Sequence, residues 1–411
     1  MLRRCISSLA RCETQVTRSL LGFRAYSELS CYSPKPSPIL CGLGKHRPAI
    51  LSKSSRLWRL TSTRHITISS ILLPPVVFTG LLLTLWVYKS LMLVLFQNKI
   101  IYMPSVPPFS RSERIEDYAA ACAPVVWRQE MIRSTDGTRI ALAIGENETM
   151  QSWGKSTRGA KNMRALVLLY FQGNAASLPP RLPGLSNVLR RLDRSSSPVA
   201  CTLVALSYRG FWTSSGRASQ LGIEKDAAAA LAFTQSLRKE LDVDSMSVLW
   251  GQSIGAGVAT TAAAGALARS AGDEKTEVRM RKVDGKVIDA LILETPFTSV
   301  RNMLVALYPQ KWLPYRYLWP FLWNHWDSEK ALSSIDVEKR RTMPLLVVTA
   351  GGDEVVPAEE GQRLMRFCRE LDFDVEHKEI PNALHTEVLT KPEGRRTIVR
   401  FLEKVHFRNG S

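Results

Sequence analysis

Five short, largely apolar runs recur along the chain: ALVLLYF at 165–171, ACTLVALSY at 200–208, SMSVLW at 245–250, VIDALIL at 287–293 and PLLVVTA at 344–350. A strand that stays apolar on successive residues has both faces covered, which is the condition of a parallel sheet packed between helices. A sixth run, VEHKEI at 375–380, is charged and alternating. Between these runs the spacing predicts helices over 178–193, 220–240, 254–270, 358–371 and 394–405. Such alternation calls for parallel neighbours joined by right-handed crossovers, so the expected fold class is α/β with a mostly parallel central sheet flanked by helices. Upstream, Asp136-Gly137 separates two alternating runs and marks a hairpin. From Pro296 to Ser334 the rhythm breaks into a stretch dense in Trp, Tyr and Pro. Extra packing over the sheet and a cap lining an apolar substrate pocket both fit that composition.

Ahead of this domain, residues 66–88 carry no charge, and apolar character resumes after Lys89 through Phe96. A helix of that length reaches about 35 Å, enough to cross the roughly 30 Å hydrocarbon core of a bilayer. Pro74 and Pro75 would end or kink such a helix, which moves the expected span toward Val76–Phe96, with Lys89 snorkelling to the interface. Residues 66–96 are therefore assigned to a transmembrane anchor, 1–65 to a basic targeting region and 97–407 to the folded domain, with 296–334 as a cap-like insertion.

The net charge of +18 is uneven, because twelve Lys and Arg precede Ser70 against Glu13 and Glu28 alone. The first thirty residues are rich in Arg and Ser, the composition of a mitochondrial transit peptide, and a disordered cytosolic tail that only orients the anchor is the alternative. Either way the positive flank places the folded domain in the intermembrane space or a lumen. The mitochondrial inner membrane is the expected location, with the endoplasmic reticulum membrane as the alternative. Asn147-Glu148-Thr149 is a glycosylation sequon that would be used only in a secretory lumen, so it offers a test between the two compartments. No CxxC pair occurs among the seven cysteines and no nucleic-acid-binding motif is present, so neither a metal site, a disulfide framework nor a nucleic-acid partner is expected. The charged stretch 272–286 reads as a solvated loop.

LWGQSIGAG at 249–257 spells GxSxG, a pattern that a chain of this length meets by chance roughly once in ten. Its context carries more weight. Ser253 falls between a buried strand and a helix, where a sharp turn exposes the hydroxyl at a helix N-terminus; Gly251 and Gly255 leave room for the turn and for close packing of helix on strand. A serine nucleophile needs a base, and of six histidines only His385 lies on a loop just past the last strand, at the carboxyl edge of the sheet. Asp353, directly after PLLVVTA, is the expected orienting acid, with Glu294 as runner-up. The acid follows the serine by 100 residues and the histidine follows the acid by 32. The two oxyanion-hole amides are expected from Ile254, next to the serine, and from Asn174 in the loop QGNAAS, with Ala175 as fallback.

At these positions the chain resembles the α/β-hydrolase family, and within it the membrane-anchored, bud-emergence-related serine hydrolases. The resemblance covers roughly Gln97 to Phe407 and rests on Gln172-Gly173-Asn174-Ala175 for the branch's HGNA, Tyr208-Arg209-Gly210 with Gly216, the elbow glycines around Ser253, Glu294–Phe297, Asp353 and His385. Gln172 departs from the usual histidine, and Gln252 and Ile254 depart from the commoner Arg-Leu or His-Leu pair. The resemblance implies hydrolysis of acyl esters or thioesters with lipid-like acyl groups. The expected function is a membrane-anchored serine hydrolase without cofactor or metal, whose partners are an acyl substrate and the membrane. No pattern names a protein partner. A catalytically silent scaffold of the same fold and a serine amidase or peptidase are the competing readings.

Overall fold

Strand β3 (Arg164–Phe171) explains the architecture, because it lies at the middle of the sheet and offers a different set of apolar side chains to each side. Leu169 and Phe171 join the core formed with helices α4 (Gln220–Glu240) and α5 (Ile254–Leu267), while Leu166, Leu168 and Tyr170 join the core formed with α3 (Leu182–Asp193) and α8 (Pro392–Phe407). The computed structural model describes residues 71–153, 164–241, 244–267 and 288–408. The basic leader, its compartment assignment and the charged stretch 272–286 lie outside the described residues.

Eight strands form one sheet: β1 (Val126–Arg133), β2 (Arg139–Glu146), β3, β4 (Ala200–Ser207), β5 (Asp244–Gln252), β6 (Ala290–Glu294), β7 (Pro344–Ala350) and β8 (Asp374–Ile380), in the order β1-β2-β4-β3-β5-β6-β7-β8. The two pairings of β2 are antiparallel and all the others are parallel. Every residue of β4, β6 and β7 is buried, as the unbroken apolar runs require. The hairpin turns at Gly137, whose φ of +83° is readily reached by glycine. From β3 the chain moves outward to β4 and then returns across it to β5, so the direction of winding reverses between β3 and β5. A sheet wound this way opens a crevice at the carboxyl ends of those strands.

Helix α1 (Leu73–Leu95) is the one helix among the described residues long and apolar enough to cross a membrane, and none of its residues is buried. Pro74 and Pro75 do not break it. They stand in its first turn, where the missing N–H groups have no intrahelical partner to lose. Helix α2 (Gln97–Tyr102) continues from it into the domain, and α6 (Val300–Leu307) and α7 (Ala358–Glu370) complete the longer helices.

The sequon is a structural element. Asn147 is fully buried, its Nδ2 donates to the Val199 carbonyl at 2.8 Å, and its Oδ1 accepts from the amides of Met150 and Cys201 at 3.1 and 3.0 Å. A glycan on that nitrogen would displace these bonds, so in the folded chain the sequon cannot report the compartment.

Candidate active site

The register of the parallel strands gathers the candidate residues before any side chain is considered. Phe171 pairs with Gly251 and Gln252 with Glu294, so the loop after β3, the turn after β5 and the end of β6 lie side by side. Ser253 occupies that turn with φ +55°, its amide donating to the Glu294 carbonyl at 2.8 Å and its own carbonyl accepting from Ala256 at 2.8 Å. A left-handed backbone is strained for serine and persists because both flanks are locked. A Cβ on Gly251 would come within 2.2 Å of the Gly255 carbonyl oxygen, and one on Gly255 within 2.2 Å of the Phe171 carbonyl oxygen, so both positions need glycine.

Two other loops bring in the remaining groups. Asp353 follows β7 and accepts at Oδ1 from the amides of Val355 and Val356, at 2.9 and 2.7 Å. His385 follows β8, held by a bond from its own amide to the Glu354 carboxylate at 3.0 Å. Its Nε2 lies 2.8 Å from Ser253 Oγ and its Nδ1 lies 2.8 Å from Asp353 Oδ2. The Asp353 and His385 side chains are about one-twentieth exposed, so their interaction is little screened by solvent. With Asp353 accepting from Nδ1, the lone pair of Nε2 faces the serine hydroxyl. This arrangement can take a proton from Ser253 and return it to a leaving group.

Glu294, the runner-up acid, makes no hydrogen bond to the imidazole among the described residues. It accepts from Trp250 Nε1 and Gln252 Nε2, both at 3.0 Å, and burial pushes its carboxyl up to about 7 against the downward pull of those two donors. Among the other histidines, His377 meets Thr349 Oγ1 at 3.0 Å on the sheet and His325 is exposed in the insertion; neither reaches the serine. His46 and His65 lie outside the described residues.

The two amides expected to face a developing oxyanion differ from the fallback in one respect. No backbone hydrogen bond among the described residues engages the amides of Asn174 or Ile254, whereas the Ala175 amide donates to the Tyr102 carbonyl at 3.0 Å. Arg181 holds the same loop. It donates to Gln252 Oε1 at 2.5 Å and to the carbonyls of Asn174 and Ala175 at 3.3 Å.

No family model matches the chain. It is 28% identical over 324 residues to the alpha/beta hydrolase domain-containing protein WAV2 of Arabidopsis thaliana, across 76% of this chain and 89% of that protein. It is 25% identical to the protein bem46 of Schizosaccharomyces pombe across 66% of this chain and 75% of that one. With the lysophosphatidylserine lipase ABHD12 of Mus musculus it shares 28% identity over 64% of each chain. A solved alpha-beta hydrolase from Vibrio vulnificus has the same fold, with a TM-score of 0.51 at 16% identity over 75% of this chain and 91% of that one. The chain has the α/β-hydrolase fold.

Within this α/β-hydrolase fold several residues around the candidate site carry no sequence signal of their own. Arg181, Glu354 and the Gln252 side chain act on the elbow or its neighbours through contacts set only by the fold. Arg181 alone could have been suspected, as a basic residue seven positions beyond Asn174 in a Pro-rich turn. Tyr208-Arg209-Gly210 turns out to be a brace: Arg209 pairs with fully buried Asp226 at 2.7 Å and with Asp136 at 2.9 Å, and the Tyr208 hydroxyl donates to the Gln172 carbonyl at 2.8 Å.

Proposed function

We propose that this α/β-hydrolase is a membrane-anchored serine hydrolase that cleaves an acyl ester or thioester, with a lipid-like acyl group, through acyl-Ser253. The observation that carries the reading is the unbroken line from Asp353 through His385 to Ser253 Oγ, with 2.8 Å at each step, at the carboxyl ends of β5, β7 and β8.

In this scheme His385 Nε2 takes the Ser253 hydroxyl proton as Oγ attacks the acyl carbon, while the Asp353 carboxylate stabilises the imidazolium. The carbonyl oxygen becomes an oxyanion facing the Asn174 and Ile254 amides, at the N-terminus of α5 where the helix dipole favours negative charge. Collapse of the tetrahedral adduct breaks the bond to the alcohol or thiol, which leaves with the proton from His385. Water then repeats the sequence against the acyl-enzyme, transferring its proton to His385, and releases the acid and free Ser253. No cofactor enters any step.

A lipid-like acyl group is supported by α1 and by the lipase named among the relatives. The leader composition favours the mitochondrial inner membrane, with the endoplasmic reticulum membrane as the alternative. The test is labelling of the full chain in membranes by a fluorophosphonate probe. Labelling of the wild type that is lost in Ser253→Ala and His385→Ala is the expected result, and equal labelling of Ser253→Ala would overturn the assignment.

A further inference from the structure

The chemistry above leaves the aromatic insertion unexplained. Leu307, Trp312, Tyr317, Phe321 and Trp323 are each more than half exposed, at 64, 67, 53, 58 and 57%. Single exposed apolar side chains are ordinary, but large aromatics clustered in one segment mark an interaction surface. From Thr295 to Trp326 there is no Asp or Glu, and the charged residues are Arg301, Lys311 and Arg316.

Contacts with α1 decide what that surface meets. Gln97, just past the end of α1, donates to the Phe321 carbonyl at 3.1 Å and accepts from the Trp323 amide at 2.7 Å. About two turns back from Gln97, Lys89 Nζ lies 4.5 Å from the ring centre of Tyr315 and 5.8 Å from that of Tyr308. Further back, the Trp86 and Trp312 rings are 5.9 Å apart. The insertion therefore runs beside the helix from its C-terminal end toward its middle.

Depth follows from helix geometry. Trp86 precedes Leu95 by nine residues, roughly 13 Å along the axis, and the whole helix exceeds the hydrocarbon core by only about 5 Å. A spanning α1 puts Trp86 roughly 10 Å below the edge of the hydrocarbon, and Trp312 touches it. The Tyr308 and Tyr315 rings cover the Lys89 cation, which suits a charge carried into the span. Trp and Tyr are the residues that settle at the headgroup level, and basic side chains reach the phosphates from there.

We propose that residues 307–323 are immersed in the phospholipid leaflet from which α1 emerges, which holds the carboxyl edge of the sheet, with Ser253, against the membrane. The inference rests on reading α1 as a membrane anchor. It is continuous with the site: the Tyr102 hydroxyl joins Asn324 and Trp326 at the end of the insertion, and the Tyr102 carbonyl holds the loop after β3.

The test uses the full chain with Cys5, Cys12, Cys31 and Cys41 changed to serine, the buried Cys122, Cys201 and Cys368 kept, and one cysteine added at a time for a nitrobenzoxadiazole label. Phe321→Cys reports the insertion, Leu83→Cys the anchor and Lys239→Cys the opposite edge of the sheet. Each variant is reconstituted in phosphatidylcholine vesicles and quenched by nitroxide-bearing lipid or by aqueous iodide. The expected result is lipid quenching at Phe321→Cys and Leu83→Cys and iodide quenching at Lys239→Cys. Iodide quenching at Phe321→Cys beside lipid quenching at Leu83→Cys overturns the immersion and leaves the anchor standing. Protection of Phe321→Cys from both quenchers overturns it in favour of a protein cover such as a second copy. Absence of lipid quenching at Leu83→Cys removes the anchor and the immersion together.

Discussion

The Tyr102 carbonyl accepts a hydrogen bond from the Ala175 amide at 3.0 Å, so the segment that leaves α1 is tied directly to the loop beside Ser253. The hydroxyl of the same residue donates to Asn324 Oδ1 at 2.7 Å and accepts from Trp326 Nε1 at 2.9 Å, with all three side chains buried. One tyrosine thus couples anchor, insertion and site loop.

Tyr102→Phe keeps the backbone bond and deletes the hydroxyl. Asn324 Oδ1 retains the Gln220 amide at 2.9 Å, but the Trp326 indole N–H loses its acceptor in a buried place. Leaving one buried donor unsatisfied costs about 1–3 kcal/mol. The expected outcome is a lowered thermal midpoint of the full chain in detergent; an unchanged midpoint would count against this buried triangle.

Glu294 makes stability depend on pH in a defined direction. Its folded value of about 7 lies above the ordinary 4.5, so the folded chain holds this proton more tightly than the unfolded chain does. The group's penalty is absent below about pH 4.5, grows as pH rises, and levels off above pH 7 at about 3 kcal/mol. Glu294→Gln cannot ionise there. The fall in thermal midpoint between pH 5 and pH 8 should therefore be smaller in Glu294→Gln than in the wild type. Equal falls in the two proteins would mean that this carboxyl does not titrate in the window.

Much of the fold was legible because burial on both faces leaves its mark on consecutive residues: β3, β4 and β7 begin and end within a residue of their apolar runs, and α4 matches its expected span. The elbow was legible for the same kind of reason, since a small-residue turn has few substitutes. Pro74 and Pro75 were harder, because proline starts a helix or breaks one depending on where the first turn falls, which is a matter of a single residue. The sequon misled because a buried asparagine that caps three backbone groups reads in sequence as an exposed one. Glu354 was illegible, and Arg181 left no more than its place in a Pro-rich turn, because both act on groups brought near only by folding.

Gln172 stands where the resemblance calls for histidine, and its carboxamide is fully buried with no hydrogen-bond partner among the described residues. An unpaired buried amide costs about 1–3 kcal/mol. Methionine keeps the length of the side chain and removes both polar atoms, so Gln172→Met should raise the thermal midpoint, and a lowered one would show that the amide is paired in solution.

Asp353→Asn separates the two jobs of this side chain. Oδ1 accepts from the Val355 and Val356 amides and lies 3.0 Å from His385 Nδ1, while Oδ2 is the nearer partner of Nδ1 at 2.8 Å. In the variant the carboxamide oxygen keeps the turn, which leaves the amide nitrogen facing the imidazole. The nearer partner of Nδ1 is then a donor, which favours the tautomer with Nδ1 as acceptor and the ring proton on Nε2, opposite Ser253 Oγ. An imidazole in that tautomer cannot take the serine proton, and a loss of about 10³–10⁴-fold in the rate of fluorophosphonate labelling is expected. The thermal midpoint should stay near that of the wild type, because the turn is intact. Asp353→Ala loses the turn as well and should fall in both measurements. Equal stability losses in the two variants would show that the carboxylate acts on the loop rather than on the imidazole.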